Sequence, residues 1–169
     1  MNGGGDNSGG GRPNPVTQRP FARLHRQYRH PDGKERRVPP SWTFPSKVQL
    51  LAQYQYWHFG DASKQIPPMK YLHISDVDFL GKHARKRLNE YALDMGKIDK
   101  EAASKGFAPH EHMSLEECAN CFGQGESIIY SAVNGETPSG RTRLVSKMSL
   151  ATIVKYFYKK RRVDSGNNV

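Results

Sequence analysis

The chain has 169 residues, a hydrophobic share of 36% and a formal net charge of +10, which comes from 26 Lys and Arg against 16 Asp and Glu. This much apolar material suffices for one modest core, which argues against a two-lobed enzyme. No run approaches the roughly 18 apolar residues of a membrane span, and the N-terminus has no apolar signal-peptide core. We therefore expect a soluble intracellular protein, and the excess positive charge favours polyanionic partners.

Residues 1–44 are dominated by glycine, proline and arginine. Such a composition buries too little apolar surface to offset the entropy of ordering, so it predicts a disordered basic arm. Its arginines are candidates for contact with the phosphates of DNA or RNA. These candidates are Arg12, Arg19, Arg23, Arg26, Arg29, Arg36 and Arg37.

Helical periodicity begins at Pro45, where Ser46 is a candidate N-cap, and the first helix should end near Gly60. Its apolar face consists of Val48, Leu50, Leu51, Tyr54 and Trp57.

A second helix is predicted from Ser75, with Asp78 as the acidic partner in its first turn. Its apolar stripe consists of Val77, Leu80, Ala84, Leu88 and Tyr91. The basic run of Lys82, Arg85, Lys86 and Arg87 falls mainly on its other side, where a charge run is usually a solvated face.

The third helix starts with the capping box Ser114-Leu-Glu-Glu117. Its predicted inner face is Leu115, Cys118, Ala119 and Phe122.

A turn-rich segment follows at residues 134–140, and a final helix starts at Ser149. The inward residues of this last helix are Leu150, Ile153, Val154 and Phe157. No alternating strand pattern competes with these helices. The predicted fold is therefore all-α, a short helical bundle.

No catalytic pattern accompanies these helices. A nucleophile with its base, a carboxylate pair and a phosphate-binding loop are all missing from the sequence, so we predict a protein that is not an enzyme. The pair Gly123 and Gly125 is typical of a helix break. Four potential zinc ligands lie within twelve residues, but two of them fall inside a predicted helix, so a plain helical core is favoured over a metal site. They are His110, His112, Cys118 and Cys121.

The last helix has a basic and aromatic face that could hold a phosphate group through hydroxyl and cation together. Its candidate phosphate-binding residues are Lys155, Tyr158, Lys159, Arg161 and Arg162.

The segment 148–162 resembles the third helix of a SANT domain, which has a serine start, an aliphatic pair, an aromatic triplet and a basic end. Residues 113–122 resemble the first SANT helix, with Met113 in place of its tryptophan. Residues 87–109 are similar to the helical end of an ELM2 domain and its linker. The resemblance is to the ELM2-SANT corepressors, closest to the REST corepressors and next to the metastasis-associated proteins.

This resemblance implies a nuclear, non-enzymatic chromatin adaptor that acts as a transcriptional corepressor subunit and binds a class I histone deacetylase. It divides the chain into a basic arm at 1–44, an ELM2-like region at 45–106, a SANT-like three-helix unit at 107–163 and a tail at 164–169. An inositol phosphate would occupy a basic seam with the deacetylase, and no enzymatic cofactor is implied. Tyr158 and Arg161 fall at the family's phosphate-holding positions, whereas Phe157 stands where a second tyrosine is expected.

Two alternative functions would also use the excess positive charge of the chain. A basic RNA-binding component of a ribonucleoprotein particle, such as an organellar ribosome, would neutralise phosphates with the arm and the final helix. A Myb-like protein would place the final helix in the DNA major groove, although the residues after Tyr158 offer few amide side chains for reading bases.

Overall fold

The structure is a computed structural model that describes residues 26–45, 48–135, 145 and 148–166, with side chains in the last helix described to residue 159. This part of the chain is mostly helical, which confirms the all-α class. No helix in these ranges is long and apolar enough to cross a bilayer. The elements in chain order are β1 (Tyr28–Arg29), β2 (Glu35–Arg36), α1 (Leu50–Phe59), α2 (Ile74–Val77), α3 (Ala84–Ser104), α4 (Leu115–Gly125), α5 (Ser127–Asn134) and α6 (Leu150–Gly166).

Helix α3 is the centre of the fold, because α1, α2, α4, α5 and α6 all contact it. Its buried stripe includes Tyr91, Met95, Ile98 and Ala102, which recur at helical spacing. One hydrophobic cluster contains side chains from both sides of residue 106, so the predicted division at 106/107 does not coincide with a division of the core.

Residues 26–44 are ordered, and the prediction of a disordered arm is wrong for this stretch. Strands β1 and β2 pair antiparallel, with Tyr28 opposite Arg36. The segment after the hairpin buries Val38, Trp42 and Phe44, and the Phe44 ring stacks on Tyr91 of α3. The burial of these three apolar side chains stabilises this stretch, although the composition of the whole arm is dominated by glycine, proline and arginine. Residues 1–25, with Arg12, Arg19 and Arg23, lie outside the described residues.

Helix α1 ends where the sequence predicts. Gly60 follows its last residue with a positive φ of 65°, and a Cβ at this position would collide with the carbonyl groups of Ile66 and Pro67. Only glycine fits this close turn without strain. The helix begins after Gln49, and the predicted cap Ser46 lies outside the described residues.

The predicted second helix is divided in two. Short α2 is followed by a 3-10 turn at Asp78–Leu80 and by Gly81 with a φ of 101°, after which α3 begins. The acidic cap partner is Asp76, which accepts a 2.9 Å hydrogen bond from the backbone N–H of His73. Asp78, the predicted partner, instead accepts a hydrogen bond from Arg36.

The start of α4 confirms the predicted capping box. Ser114 N–H donates to the Glu117 carboxylate at 2.6 Å, and Glu117 N–H donates to the Ser114 hydroxyl at 3.1 Å. Leu115 was predicted to face inward but is 66% exposed, and Met113, just before the helix, is buried instead. The predicted inward residues of α6 are confirmed, since Leu150, Ile153, Val154 and Phe157 are all buried.

The predicted break at Gly123 and Gly125 is confirmed, because α4 ends at Gly125 and the single residue Glu126 separates it from α5. Gly125 is buried, and a Cβ there would collide with the carbonyl oxygen of Ile98 in α3. Gly123 faces open space. The buried glycine therefore allows α4 to approach α3 at the level of the backbone.

Candidate binding surfaces

The outer face of α6 presents two lysines and a phenol. Lys155 and Lys159 are exposed, and Tyr158 is 55% exposed. Positions 155, 158 and 159 are separated by three and four residues, so they share one side of the helix. The opposite side is fixed in the core by Ile153 and Phe157. We call Lys155, Tyr158 and Lys159 the α6 basic face.

The charges of the α6 basic face are available for a ligand. Among the described residues, neither Lys155 nor Lys159 forms an ion pair with a carboxylate. Lys97 of α3 is not part of this face, because its ammonium lies 5.6 Å from the centre of the Phe157 ring on the other side of α6. Two ammonium groups and a hydroxyl can together hold an anion with several oxygen atoms, such as a phosphate group.

Arg161 and Arg162 were predicted to contribute to the same surface. The backbone of α6 continues past both positions to Gly166, but their side chains lie outside the described residues.

The start of α4 is a surface of the opposite charge. Glu116 and Glu117 are exposed beside Leu115, and the Ser114 backbone N–H that donates to Glu117 lowers the pKa of that carboxyl. His110 lies 3.8 Å from the same carboxylate. An exposed leucine flanked by carboxylates fits a partner with apolar and cationic groups.

Two of the arginines predicted to contact nucleic acid, Arg36 and Arg37, form internal ion pairs. The Arg36 side chain is only 2% exposed and donates to Asp32 at 2.7 and 2.9 Å and to Asp78 at 3.0 Å. Arg37 pairs with Asp76 at 3.1 Å. Arg36 holds the pKa of Asp32 well below its ordinary value by donating to the charged form. Both guanidinium groups fasten the hairpin region to α2 and the turn after it. The enclosed Arg36 guanidinium is not accessible to nucleic acid, whereas the contact of Arg37 with nucleic acid remains a prediction.

The other two described arginines of the arm are accessible. Arg29 is exposed, and so is Arg26, which donates to Gln65 at 2.9 Å and lies over the Tyr28 ring. Their proposed contact with nucleic acid remains a prediction.

The four potential zinc ligands are divided between the surface and the core. His110 and His112 are exposed, whereas Cys118 and Cys121 are buried, as the helical-core interpretation predicts. Burial raises the pKa of the Cys118 thiol well above its ordinary value. Within the described ranges, no three potential ligands come together in a geometry that would hold a metal ion.

Sequence reasoning missed a polar cluster between α1 and α3. Tyr54 donates to the Asp99 carboxylate at 2.7 Å, and Nε2 of His58 lies 2.9 Å from the same oxygen. Nδ1 of His58 is buried without a partner. The four-residue spacing of Tyr54 and His58 was the available signal. Because the cluster joins two helices and Tyr54 is fully buried, we assign it a structural role.

Asp94 of α3 is a second buried acidic group. It is 0% exposed, and neither of its carboxylate oxygens has a hydrogen-bond partner. Burial, with a smaller contribution from Glu90, raises the pKa of Asp94 to about 8. Burial in the core therefore favours the neutral form of this carboxyl group.

Comparison with protein-family models, with curated proteins and with solved structures finds no match for this chain. The surfaces most suited to binding in the described part of the chain are the α6 basic face and the acidic start of α4.

Proposed function

We propose that the chain is a non-enzymatic chromatin adaptor, a nuclear corepressor subunit that binds a class I histone deacetylase. The observation that carries this proposal is the α6 basic face. Lys155, Tyr158 and Lys159 project from a helix whose other side is held in the core, so the helix is rigidly placed for recognition of an anion.

In this proposal the α6 basic face holds an inositol phosphate between the chain and the deacetylase. Lysine ammonium groups neutralise the phosphate charge, and the Tyr158 hydroxyl donates a hydrogen bond to a phosphate oxygen. Phe157 is buried and has no hydroxyl, so Tyr158 is the phenol that we assign to this contact.

The acidic start of α4 supplies a contact with the protein partner itself. Leu115 offers apolar area, while Glu116 and Glu117 select a surface with cations. Apolar contact provides affinity and the charges provide orientation, which is the usual division of roles at a protein interface.

Binding to a purified class I deacetylase tests the proposal directly. The affinity is measured with and without inositol hexakisphosphate, for the natural chain and for the double variant Lys155→Glu with Lys159→Glu. We expect the variant to bind at least about tenfold more weakly when the inositol phosphate is present, because two charge-assisted contacts are lost. The control is Arg85→Glu with Lys86→Glu, which makes the same charge change on α3 and should leave the affinity unchanged.

Tyr158→Phe isolates the hydroxyl, because the exposed ring is retained. We expect this variant to reduce stimulation of the deacetylase by inositol phosphate. Absence of binding by the natural chain, or equal loss in both double variants, would overturn the proposal.

Affinity purification from nuclease-treated nuclear extract separates this function from the RNA-binding alternative. Recovery of an active class I deacetylase after nuclease treatment supports the adaptor. Recovery of ribonucleoprotein components that disappear with nuclease would replace it by a role in RNA binding.

A further inference from the structure

A second cationic surface lies at the start of α3, where the proposed adaptor function uses no residue. Lys82, Arg85 and Lys86 are all exposed and fall within five consecutive positions. We call these three residues the α3 basic patch. It belongs to a different helix from the α6 basic face and shares no residue with it.

The patch has little carboxylate compensation. Lys82 and Arg85 form no ion pair among the described residues, and Lys86 is 73% exposed with its nearest carboxylate, Glu90, at 4.0 Å. Arg36 and Arg37, by contrast, are enclosed by aspartates. The α3 basic patch therefore does not serve internal ion pairing.

The place of these cations within α3 also argues against a purely structural role. The first turn of the helix has no acidic residue, and His83 at the N-cap makes no side-chain capping hydrogen bond. Cations near the N-terminus of a helix interact unfavourably with the positive end of the helix dipole. If these positions served only to keep the helix surface solvated, Glu or Asp would do so and would also interact favourably with the dipole. Positive charge that reduces the stability of its own helix points to a ligand of negative charge.

We propose that the α3 basic patch binds the phosphate backbone of double-helical nucleic acid. Residues 81–89 themselves contribute no Phe, Tyr or Trp on which an unpaired base could stack. Lysine and arginine without such rings are suited to phosphates along a duplex, which they neutralise without reading its sequence. This binding goes beyond the adaptor function and does not require a deacetylase.

The test measures the affinity of the full chain for a duplex DNA of about 20 base pairs as a function of salt concentration. The variant replaces Lys82, Arg85 and Lys86 by Gln. The control replaces Lys34, Lys64 and Lys100, three exposed lysines that belong to neither basic surface, by Gln. Both triple variants lose the same net charge.

If each patch residue neutralises one phosphate, the slope of log K against log salt should become shallower by about 2.7 in the patch variant. Between 50 and 200 mM salt, the natural chain would then lose about 40-fold more affinity than the patch variant. The patch variant should also melt at a slightly higher temperature, because three cations leave the positive end of α3. This second readout shows that the variant is folded.

Equal slopes for the patch and control variants would overturn the proposal, because the binding would then depend on net charge alone. A single-stranded RNA of the same length is the second arm. The assignment to a duplex would also be overturned if the natural chain bound this RNA more tightly than the duplex and the patch variant lost affinity only for the RNA. Neither result depends on whether the chain binds a deacetylase, so failure of this proposal is distinguishable from failure of the adaptor function.

Discussion

Replacement of Gly125 by Ala tests the close approach of α4 to α3. A Cβ at this position meets the Ile98 carbonyl oxygen, which belongs to the backbone of a long helix and cannot turn away as a side chain could. Overpacking at such a point costs about 3 kcal/mol, and the better helix propensity of alanine returns about 1 kcal/mol. We therefore expect a net loss of about 2 kcal/mol in the free energy of unfolding.

Gly123→Ala is the matched control on the same helix. Nothing lies near a Cβ at this exposed position, so this variant should gain between about 0.5 and 1 kcal/mol from helix propensity alone. Urea unfolding followed by the fluorescence of the two tryptophans, Trp42 and Trp57, measures both changes. For a slope of about 2 kcal/mol per M urea, the midpoint of Gly125→Ala should fall by about 1 M while that of Gly123→Ala rises. Equal midpoints for the two variants would refute the close approach.

Three further outcomes are expected. Asp94→Asn should remove a pH dependence of stability. The Asp94 carboxyl ionises near pH 4 in the unfolded chain but near pH 8 in the folded one, so as the pH rises between these values the natural chain should lose about 1.4 kcal/mol of stability per pH unit relative to the variant. Parallel pH profiles of the two proteins would contradict this. Arg36→Ala should lower Tm by several degrees and expose the hairpin to protease, whereas Arg29→Ala, at an exposed strand position, should do neither; equal melting of the two would argue against the ion pairs. The buried Cys118 thiol should resist alkylation in the folded chain and react in denaturant, and rapid native labelling would contradict its burial.

Features determined by neighbouring residues could be predicted from the sequence. The capping box of Ser114 and Glu117 and the end of α1 at Gly60 depend on residues within one turn. The inward stripe of α6 is equally local, since its spacing alone identifies the buried side. Exposure of Lys155, Tyr158 and Lys159 follows from that stripe.

Features that depend on distant partners could not be predicted in this way. Arg36 is separated by 42 residues from Asp78, so its guanidinium was indistinguishable in the sequence from the other arginines of the arm. The burial of Trp42 and Phe44 likewise depends on where α3 lies. The close approach of Gly125 to Ile98 could not be predicted either, because these two residues are far apart in the chain.

Helix α5 was missed for a different reason. It follows α4 after the single residue Glu126 and has only eight residues. Its buried residues Ile129 and Val133 are one helical turn apart, which is too short a pattern to predict a separate helix.

The attachment of the hairpin determines which fragment of the chain can fold independently. A fragment that begins at residue 45 would lose the guanidinium partners of Asp76 and Asp78 and would uncover the surface that Val38, Trp42 and Phe44 protect. The smallest self-sufficient unit should therefore begin near Arg26, and deletion experiments intended to remove only the basic charge should stop before that residue.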